Sequence, residues 1–217
     1  MAEADEITRL LEQFAGEDDI PRGLLSEELR EQIDACIPAY GFTMLAGCVC
    51  QREDEINVSF TVGFSKLGLP EIALSAVPPR QAHRFFTDLL IRLLSAKNQG
   101  LILPEHDTID VPELAARGFR TVLRRLPSIP ASRQLIPQAR EYLGQDVDVF
   151  QMLPADENNR FPWEGHVSDR FATGQAPLID WAQVGPPKAA RTMILPEVPE
   201  EMAKEVLSPF PAYRWEE

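Results

Sequence analysis

The sequence has few cysteines and no long apolar run, and each shortage excludes a class of protein. Three cysteines among 217 residues are too few and odd in number for a disulfide framework, so we expect reduced thiols. The longest uncharged stretch, 35–51, contains proline and glycine and is shorter than the ~20 apolar residues of a membrane span. The sequence also lacks the export pattern of a basic start followed by an apolar segment. We therefore expect a soluble, cytoplasmic protein that contacts no membrane.

Known catalytic and metal-binding motifs are also missing. The sequence contains no phosphate-binding glycine loop, zinc-protease helix, nucleophile elbow or dinucleotide fingerprint. Cys48 and Cys50 alternate along a predicted strand, but no second cysteine pair or histidine pair completes a zinc site. We expect no metal and no cofactor, and the residues leave open whether the protein is an enzyme.

The charge is concentrated near the two ends of the sequence. The net charge is -13, and residues 1–34 carry eleven acids against three bases. This balance opposes nucleic-acid binding, which depends on cationic side chains, and favours a basic protein partner or a second copy of the chain. Alternatively, the acids only keep the protein soluble. The candidate partner-binding residues are Glu17, Asp18, Asp19, Glu27, Glu28 and Glu31.

One segment has the opposite charge. Residues 114–140 contain no acid and six arginines. Arginine binds carboxylate or phosphate through two parallel hydrogen bonds. The segment could pair with acidic parts of the same chain or of a second copy, it could hold an anionic ligand, or it could be a surface without a specific role. We favour the pairing.

Hydrophobic periodicity divides the chain into three parts. Residues 1–38 form an acidic N-terminal arm with helices at 5–15 and from the N-cap Ser26 to about Pro38. Residues 39–175 form the core domain. Residues 176–217 are a proline-rich C-terminal extension with a short acidic helix at 197–207.

The core domain alternates strand-like and helix-like patterns. The pattern predicts strands at 41–50, 56–64, 71–77, 118–126 and 147–152. A long amphipathic helix at about 80–97 carries a continuous apolar stripe that would pack on the sheet. A second helix is predicted at 132–143, and 154–196 reads as irregular. These elements indicate an α+β fold with a mainly antiparallel sheet, in which strands two and three are antiparallel neighbours.

Polar residues in apolar surroundings supply the candidate site. His83 lies at the edge of the apolar stripe and could act as a general base, oriented by Glu71 or Asp156, or it could be a packed helix residue. A ligand pocket between strand, helix and loop would hold an anionic group at Arg160. The candidate ligand-binding residues are Thr61, Gln151, Arg160, Trp163 and His166.

The run from Asp156 to Trp163, DENNRFPW, is the most distinctive in the sequence. Its spacing allows a turn that folds Arg160 back onto Asp156, with Phe161 and Trp163 anchoring the loop. The run is therefore interpreted either as a structural latch or as the wall of a ligand pocket. We favour the latch.

Several ordered motifs together resemble a known family. They are Thr61-Val62-Gly63-Phe64, Gly68-Leu69-Pro70-Glu71-Ile72, Pro78-Pro79 with Ala82-His83, and Gln151, Asp156 and Arg160-Phe161-Pro162-Trp163. Over residues 50–175 the chain is similar to a bacterial domain of unknown function, in the series numbered four-two-six-two. The resemblance implies one architectural unit and no particular activity. Asn159 departs from the family pattern, in which glycine is expected before the arginine.

Two functions fit these observations, and a third is open. We favour a protein-binding module of the immunity, inhibitor or adaptor type, which engages a basic surface through the acidic ends. The alternative is an enzyme or small-ligand sensor with an anionic-ligand pocket around His83, Arg160 and Trp163. A structural subunit of a larger assembly is the third possibility.

Overall fold

A computed structural model describes residues 25–51, 54–75, 77–101, 108–111, 120–126, 136–144, 147–165, 185–188, 192–195 and 197–213. The predicted helix at 5–15 and the acids Glu17, Asp18 and Asp19 lie outside these ranges, as does His166. Within them, no helix combines the length and the apolar character needed to cross a bilayer.

The described chain forms four α-helices and one sheet, which confirms the α+β class. The helices are α1 (Glu27–Tyr40), α2 (Pro79–Asn98), α3 (Pro137–Leu143) and α4 (Glu200–Leu207). The strands are β1 (Thr43–Gln51), β2 (Asp54–Val62), β3 (Glu71–Ser75), β4 (Thr108–Val111), β5 (Thr121–Arg125), β6 (Val149–Pro154) and β7 (Thr192–Ile194). Short 3-10 helices occupy Phe64–Leu67 and Pro211–Tyr213.

The sheet is mixed rather than purely antiparallel. Its described strands run in the order β1-β2-β3-β6-β5-β4-β7. Strand β2 is antiparallel to β3, as expected, and also to β1, and β5 is antiparallel to both β4 and β6. The pairs β3–β6 and β4–β7 are parallel, and each is joined by a long connection, as parallel neighbours require.

Helix α1 begins and ends at residues suited to those positions. The backbone N–H of Leu29 donates a hydrogen bond to Ser26 Oγ at 3.1 Å, which caps the N-terminus. Gly41 ends the helix with φ +81°, a conformation that only glycine adopts without strain. The helix continues two residues past the expected end at Pro38, because a proline in the last turn removes only one helical hydrogen bond.

Two apolar cores lie on opposite faces of the sheet. Helix α2 packs on one face, where its stripe meets alternate residues of β6, Phe150 and Met152. The intervening residues Val149 and Leu153 point to the other face, which α1 and α3 cover. The sheet therefore forms the middle layer, and each of its faces presents a separate surface.

The C-terminal residues are part of this fold, contrary to the expected irregular segment at 154–196. Strand β7 joins the edge of β4 in parallel register, and Met193 at its centre is buried in the core beneath α2. A strand of three residues is too short to show a period of two, which is why the sequence pattern missed it. The helix expected at 197–207 begins at Glu200 and contacts α2.

Candidate functional site

Glu71 lies at the start of β3 and is completely buried. Its Oε2 accepts a hydrogen bond from Thr61 Oγ1 at 2.6 Å. Its Oε1 accepts from the backbone N–H of Gly63 at 3.0 Å and from both the N–H and the hydroxyl of Ser65 at 2.9 and 2.8 Å. Burial raises the pKa of Glu71, although the four hydrogen bonds act to lower it. The carboxyl group therefore fixes the turn between β2 and β3.

The hydroxyl of Thr61 is engaged in the same hydrogen-bond network. Its hydroxyl donates to Glu71 and accepts from the backbone N–H of Ile72 at 2.9 Å. The side chain is completely buried. Thr61, expected to bind a ligand, is placed instead as the link between β2 and the buried carboxyl group.

His83 lies on the exposed side of α2. Its ring is 5.7 Å from the ring of Phe42, centroid to centroid. The hydrogen bonds described for Glu71 and Asp156 do not include His83, and Trp163 packs against the core on the opposite face of the sheet. The structure therefore does not gather His83 with the loop that ends at Trp163.

Asp156 forms the turn that the spacing predicted. Its Oδ1 accepts hydrogen bonds from the backbone N–H groups of Asn158 and Arg160 at 2.9 and 2.8 Å. The Nε of Arg160 lies 3.7 Å from Asp156 Oδ2, so the arginine does fold back onto the carboxylate. Asp156 is completely buried, whereas the Arg160 side chain remains 41% exposed. The geometry is that of a latch.

Asn159 explains why glycine is expected at its position. Its φ is +59°, in the left-handed region, which glycine and, less readily, asparagine adopt. Its Oδ1 also accepts a hydrogen bond at 3.2 Å from the backbone N–H of Arg120. The asparagine therefore keeps the turn and adds a tie to β5.

Arginine and aromatic side chains form a continuous row across β5. Arg120, directly before β5, and Arg124 within it are four residues apart and so point to the same face. The Arg120 guanidinium lies 4.6 Å from the centroid of the Phe161 ring, and the Arg124 guanidinium lies 5.2 Å from that of Trp163. The two rings stack at 5.0 Å. This row, Arg120-Phe161-Trp163-Arg124, is called the arginine-aromatic row below.

Glu164 holds one end of the row. Its two oxygens accept hydrogen bonds from Arg120 Nη1 and Nη2 at 3.1 and 2.9 Å, and Oε2 also accepts from the backbone N–H of Phe161. Burial acts to raise the pKa of Glu164, but these hydrogen bonds and the charge of Arg120 outweigh it and lower the pKa. At the other end, Arg124 donates to the carbonyl of Gly185 at 2.7 Å.

A pocket of about 380 Å³ opens beside the row. Its floor is the face of β4, β5 and β7 opposite α2, and its walls are the aromatic loop and a pair of prolines. Its volume lies within the range of roughly 300–1,000 Å³ typical of small-molecule sites. The lining residues are Thr108, Asp110, Arg120, Val122, Phe161, Trp163, Glu164, Pro186, Pro187, Thr192 and Ile194.

Asp110 is the carboxyl group at the floor of the pocket. It is half-buried on β4. Burial raises its pKa, and the charge of Arg120 and a hydrogen bond from the backbone of Val111 compensate only in part. In contrast to Glu164, it has no bidentate arginine partner among the contacts of the described residues. Of the two acids in the lining, Asp110 is therefore the less compensated.

The remaining predicted residues are distributed over several places. Trp163 lines the pocket, whereas Arg160 does not. Gln151 is buried in β6 between Ala73 and Arg124 of the neighbouring strands. The partner-binding candidates Glu27, Glu28 and Glu31 are exposed on α1.

Two arginines of the basic segment form ion pairs within the part of the chain that the structure describes, whereas Arg117 and Arg133 lie outside it. Arg120 pairs with Glu164, and Arg125 pairs with Asp148 at 2.8 Å. Both acids lie in the core domain. Among the described residues, no group of three or more histidine, cysteine or acidic side chains is placed to hold a metal ion.

Sequence reasoning missed Asp110, Glu164 and the two threonines of the pocket. A signal was available for part of this set, because Thr108 and Asp110 alternate with the apolar Ile109 and Val111. Such alternation predicts a strand with one polar face. No sequence signal indicated that β7 would complete the floor.

Comparison with known proteins gives one match. A family model described as a domain of unknown function, DUF4262, matches residues 37–168. No curated protein matches, and no solved structure matches. Seven lining residues of the pocket fall inside the matched range, whereas Pro186, Pro187, Thr192 and Ile194 lie beyond it.

Proposed function

Because the chain belongs to the DUF4262 family, which has no assigned activity, we propose a function from the geometry: the protein binds a small molecule in the pocket between the arginine-aromatic row and β7. The observation that carries this proposal is the combination of an aromatic wall at Trp163 with a poorly compensated carboxyl group at Asp110. Small-molecule sites commonly combine mainly apolar walls with a few polar groups.

The pocket described here differs from the one expected around His83 and Arg160. Trp163 is common to both, but the charged groups are now Asp110, Arg120 and Glu164. A pocket that binds a ligand supports a sensor or carrier role directly. An enzymatic role requires in addition a reacting group, for which Asp110 is the candidate as a general acid or base.

The test is a titration of the ¹⁵N-labelled protein with a library of small fragments, read by NMR. The chain has three tryptophans, so the indole N–H signal of Trp163 can be assigned with Trp163→Phe. We expect a subset of fragments to shift that signal. The proposal would be contradicted if the fragments shifted only other signals, or if no fragment shifted any signal.

A bulky substitution at the pocket rim provides a matched control. Ile194 lines the pocket and is 63% exposed, whereas Leu101 is 38% exposed and lies outside the lining. Ile194→Trp should weaken the binding of the fragments that shift the Trp163 signal, because the introduced indole would occupy the pocket entrance. Leu101→Trp should leave their affinity unchanged.

A second candidate function, a protein-binding module for a basic partner, is supported by the exposed acids of α1. Glu27, Glu28 and Glu31 have no ion pair among the contacts of the described residues. A bacterial, cytosolic immunity, inhibitor or adaptor protein is the form we propose for this function. The acidic first turn also stabilises the helix N-terminus, which is the purely structural alternative.

The structure determines which variant tests this second proposal. Removing residues 1–34 would delete Ile33, which is completely buried, and so would damage the core. The triple charge reversal of Glu27, Glu28 and Glu31 to lysine keeps the core. The matched control reverses Glu200, Glu201 and Glu205 on α4.

Native mass spectrometry on protein purified from its host is the measurement. We expect the wild-type protein to carry a stoichiometric basic partner that dissociates when salt is added. The charge reversal on α1 should abolish this binding, whereas the charge reversal on α4 should preserve it. A partner kept by both variants, or the absence of any partner, contradicts the proposal.

A further inference from the structure

We propose that the pocket selects molecules with a protonated amidine or amine on an apolar, preferably planar, body, with the cation held at Asp110. This inference rests on the proposed ligand-binding function and names the class of ligand. It differs from the anionic ligand expected from the sequence, and three features of the pocket lead to it.

The first feature is that the pocket's arginine is already engaged. Both terminal nitrogens of Arg120 donate to Glu164, and Nη1 also approaches the carbonyl of Asn159 at 3.5 Å. Its planar face is covered by the Phe161 ring. A carboxylate or phosphate ligand would have to compete with Glu164 for the guanidinium, and so would break the bidentate pair. Anion binding is therefore disfavoured.

The second feature is the charge of the lining. Asp110 and Glu164 contribute two acids against the single base Arg120. Arg124 lies behind the Trp163 ring, and it donates to Gly185 rather than belonging to the lining. The lining therefore carries an excess of one carboxyl group, which favours a cation.

The third feature is the position of Asp110 on the floor. Glu164 is fixed by three hydrogen bonds, so Asp110 is the acid left to pair with a ligand. Burial disfavours its charged form, and a cation in contact with it would restore that form. Amidinium groups pair with carboxylates through two parallel hydrogen bonds, as arginine does.

The residues that form the walls of the pocket indicate the shape and polarity of the ligand. Trp163, Pro186 and Pro187 all line the pocket. Flat apolar surfaces of this kind favour a ring over a flexible polar chain. The hydroxyls of Thr108 and Thr192 are the remaining polar side chains on the floor, and Thr192 already donates to the carbonyl of Lys188.

Three probes that share one ring test the charge preference. Benzamidine is a cation, benzamide is neutral and benzoate is an anion. Each is titrated at millimolar concentration into the wild-type protein, and the indole signal of Trp163 is followed by NMR. We expect benzamidine to bind about tenfold more tightly than benzamide, and benzoate to produce no shift.

Asp110→Asn isolates the pairing with the carboxyl group. This variant keeps the size of the side chain. It should weaken the affinity for benzamidine about tenfold and change the affinity for benzamide by less than about twofold. The control Glu201→Gln removes the same charge from the exposed start of α4 and should change neither.

The outcomes separate this inference from the proposed function. Benzoate or benzamide binding at least as tightly as benzamidine, or benzamidine binding unaffected by Asp110→Asn, would overturn the cation preference while the pocket stood as a ligand site. If none of the three probes shifts Trp163, the inference also fails, and the fragment library then decides whether the pocket binds any small molecule.

Discussion

Glu71 shows how a polar residue can be buried for structural reasons. Four donors from Thr61, Gly63 and Ser65 surround its carboxyl group. The sequence indicated that Glu71 and Thr61 were unusual, because they interrupt apolar surroundings. It could not indicate that they contact each other rather than a ligand or His83, since a side chain's partners depend on tertiary packing.

The buried carboxyl group predicts a pH-dependent stability difference between wild type and Glu71→Gln. The pKa of Glu71 is raised in the folded state, so its contribution is fully present below the ordinary value of 4.5 and declines as the pH rises through the folded pKa. The free energy of unfolding of wild type minus that of the variant should therefore fall as the pH increases above 4.5.

Urea unfolding at a series of pH values measures this difference. Glu201→Gln, on the exposed start of α4, is the control and should show no such trend. A difference that grows with pH would mean that the hydrogen bonds outweigh burial at Glu71.

Asn159 predicts an unusual order of substitutions. Its φ of +59° costs an ordinary L-residue roughly 1–2 kcal/mol, whereas glycine adopts it freely. Asn159→Gly should therefore be more stable than Asn159→Ala by about 1 kcal/mol, even though both lose the hydrogen bond to Arg120. Denaturant midpoints of the two variants give the comparison, and equal midpoints would contradict it.

At the scale of the elements, the arginine-aromatic row could have been anticipated in part. Arg120, Val122 and Arg124 alternate along a strand, and Phe161 and Trp163 have the same spacing in the loop. Two sets of residues with a period of two can stack residue against residue. That β5 and this loop meet at all depends on long-range pairing, which no local pattern determines.

Three elements are also joined at the surface by Tyr142 of α3. Its hydroxyl accepts a hydrogen bond from Lys66 at 2.9 Å and donates to Asp34 of α1. Tyr142→Phe removes both contacts and keeps the ring, so it should lower the free energy of unfolding by about 1 kcal/mol.

Tyr40→Phe is the matched control for this prediction. Tyr40 is 41% exposed, so Tyr40→Phe should be close to neutral when the thermal unfolding of both variants is compared with that of the wild type. A loss for Tyr40→Phe as large as that for Tyr142→Phe would show that the junction between the three elements contributes nothing specific.

At the scale of the whole molecule, the C-terminal residues close the core against α1. A Cβ atom built on Gly41 would lie 2.8 Å from Cζ of Phe210, and Phe210 is buried with α2. Phe210→Ala should cost about 3 kcal/mol through the cavity it leaves. Gly41→Ala should destabilise through both the contact with Phe210 and its φ of +81°.

A double-mutant cycle tests that the two residues are coupled. In the Phe210→Ala background the contact with Phe210 is gone and the 3.3 Å approach to Leu90 Cδ2 remains, so Gly41→Ala should cost less than in wild type and close to the backbone strain of roughly 1–2 kcal/mol. Calorimetric unfolding of the four proteins measures the cycle. Additive losses would mean that Phe210 does not restrict the space at Gly41.

Much of the fold was predictable because its elements carry strong local signals. The cap at Ser26, the apolar stripe of α2 and the turn between β2 and β3 each depend on neighbouring residues. The order of the strands, the parallel pairs and β7 depend on residues far apart in sequence. The pocket was missed for the same reason, since its floor combines β4, β5 and β7.

The parallel pairing of β4 with β7 also constrains how the protein matures during synthesis. Strand β4 leaves the ribosome well before β7 has been translated, so its outer edge and the face that becomes the pocket floor stay unpaired in the nascent chain. Ribosome-bound chains stalled before residue 192 should therefore already form the hydrogen bonds around Glu71 while remaining unable to bind a ligand in the pocket.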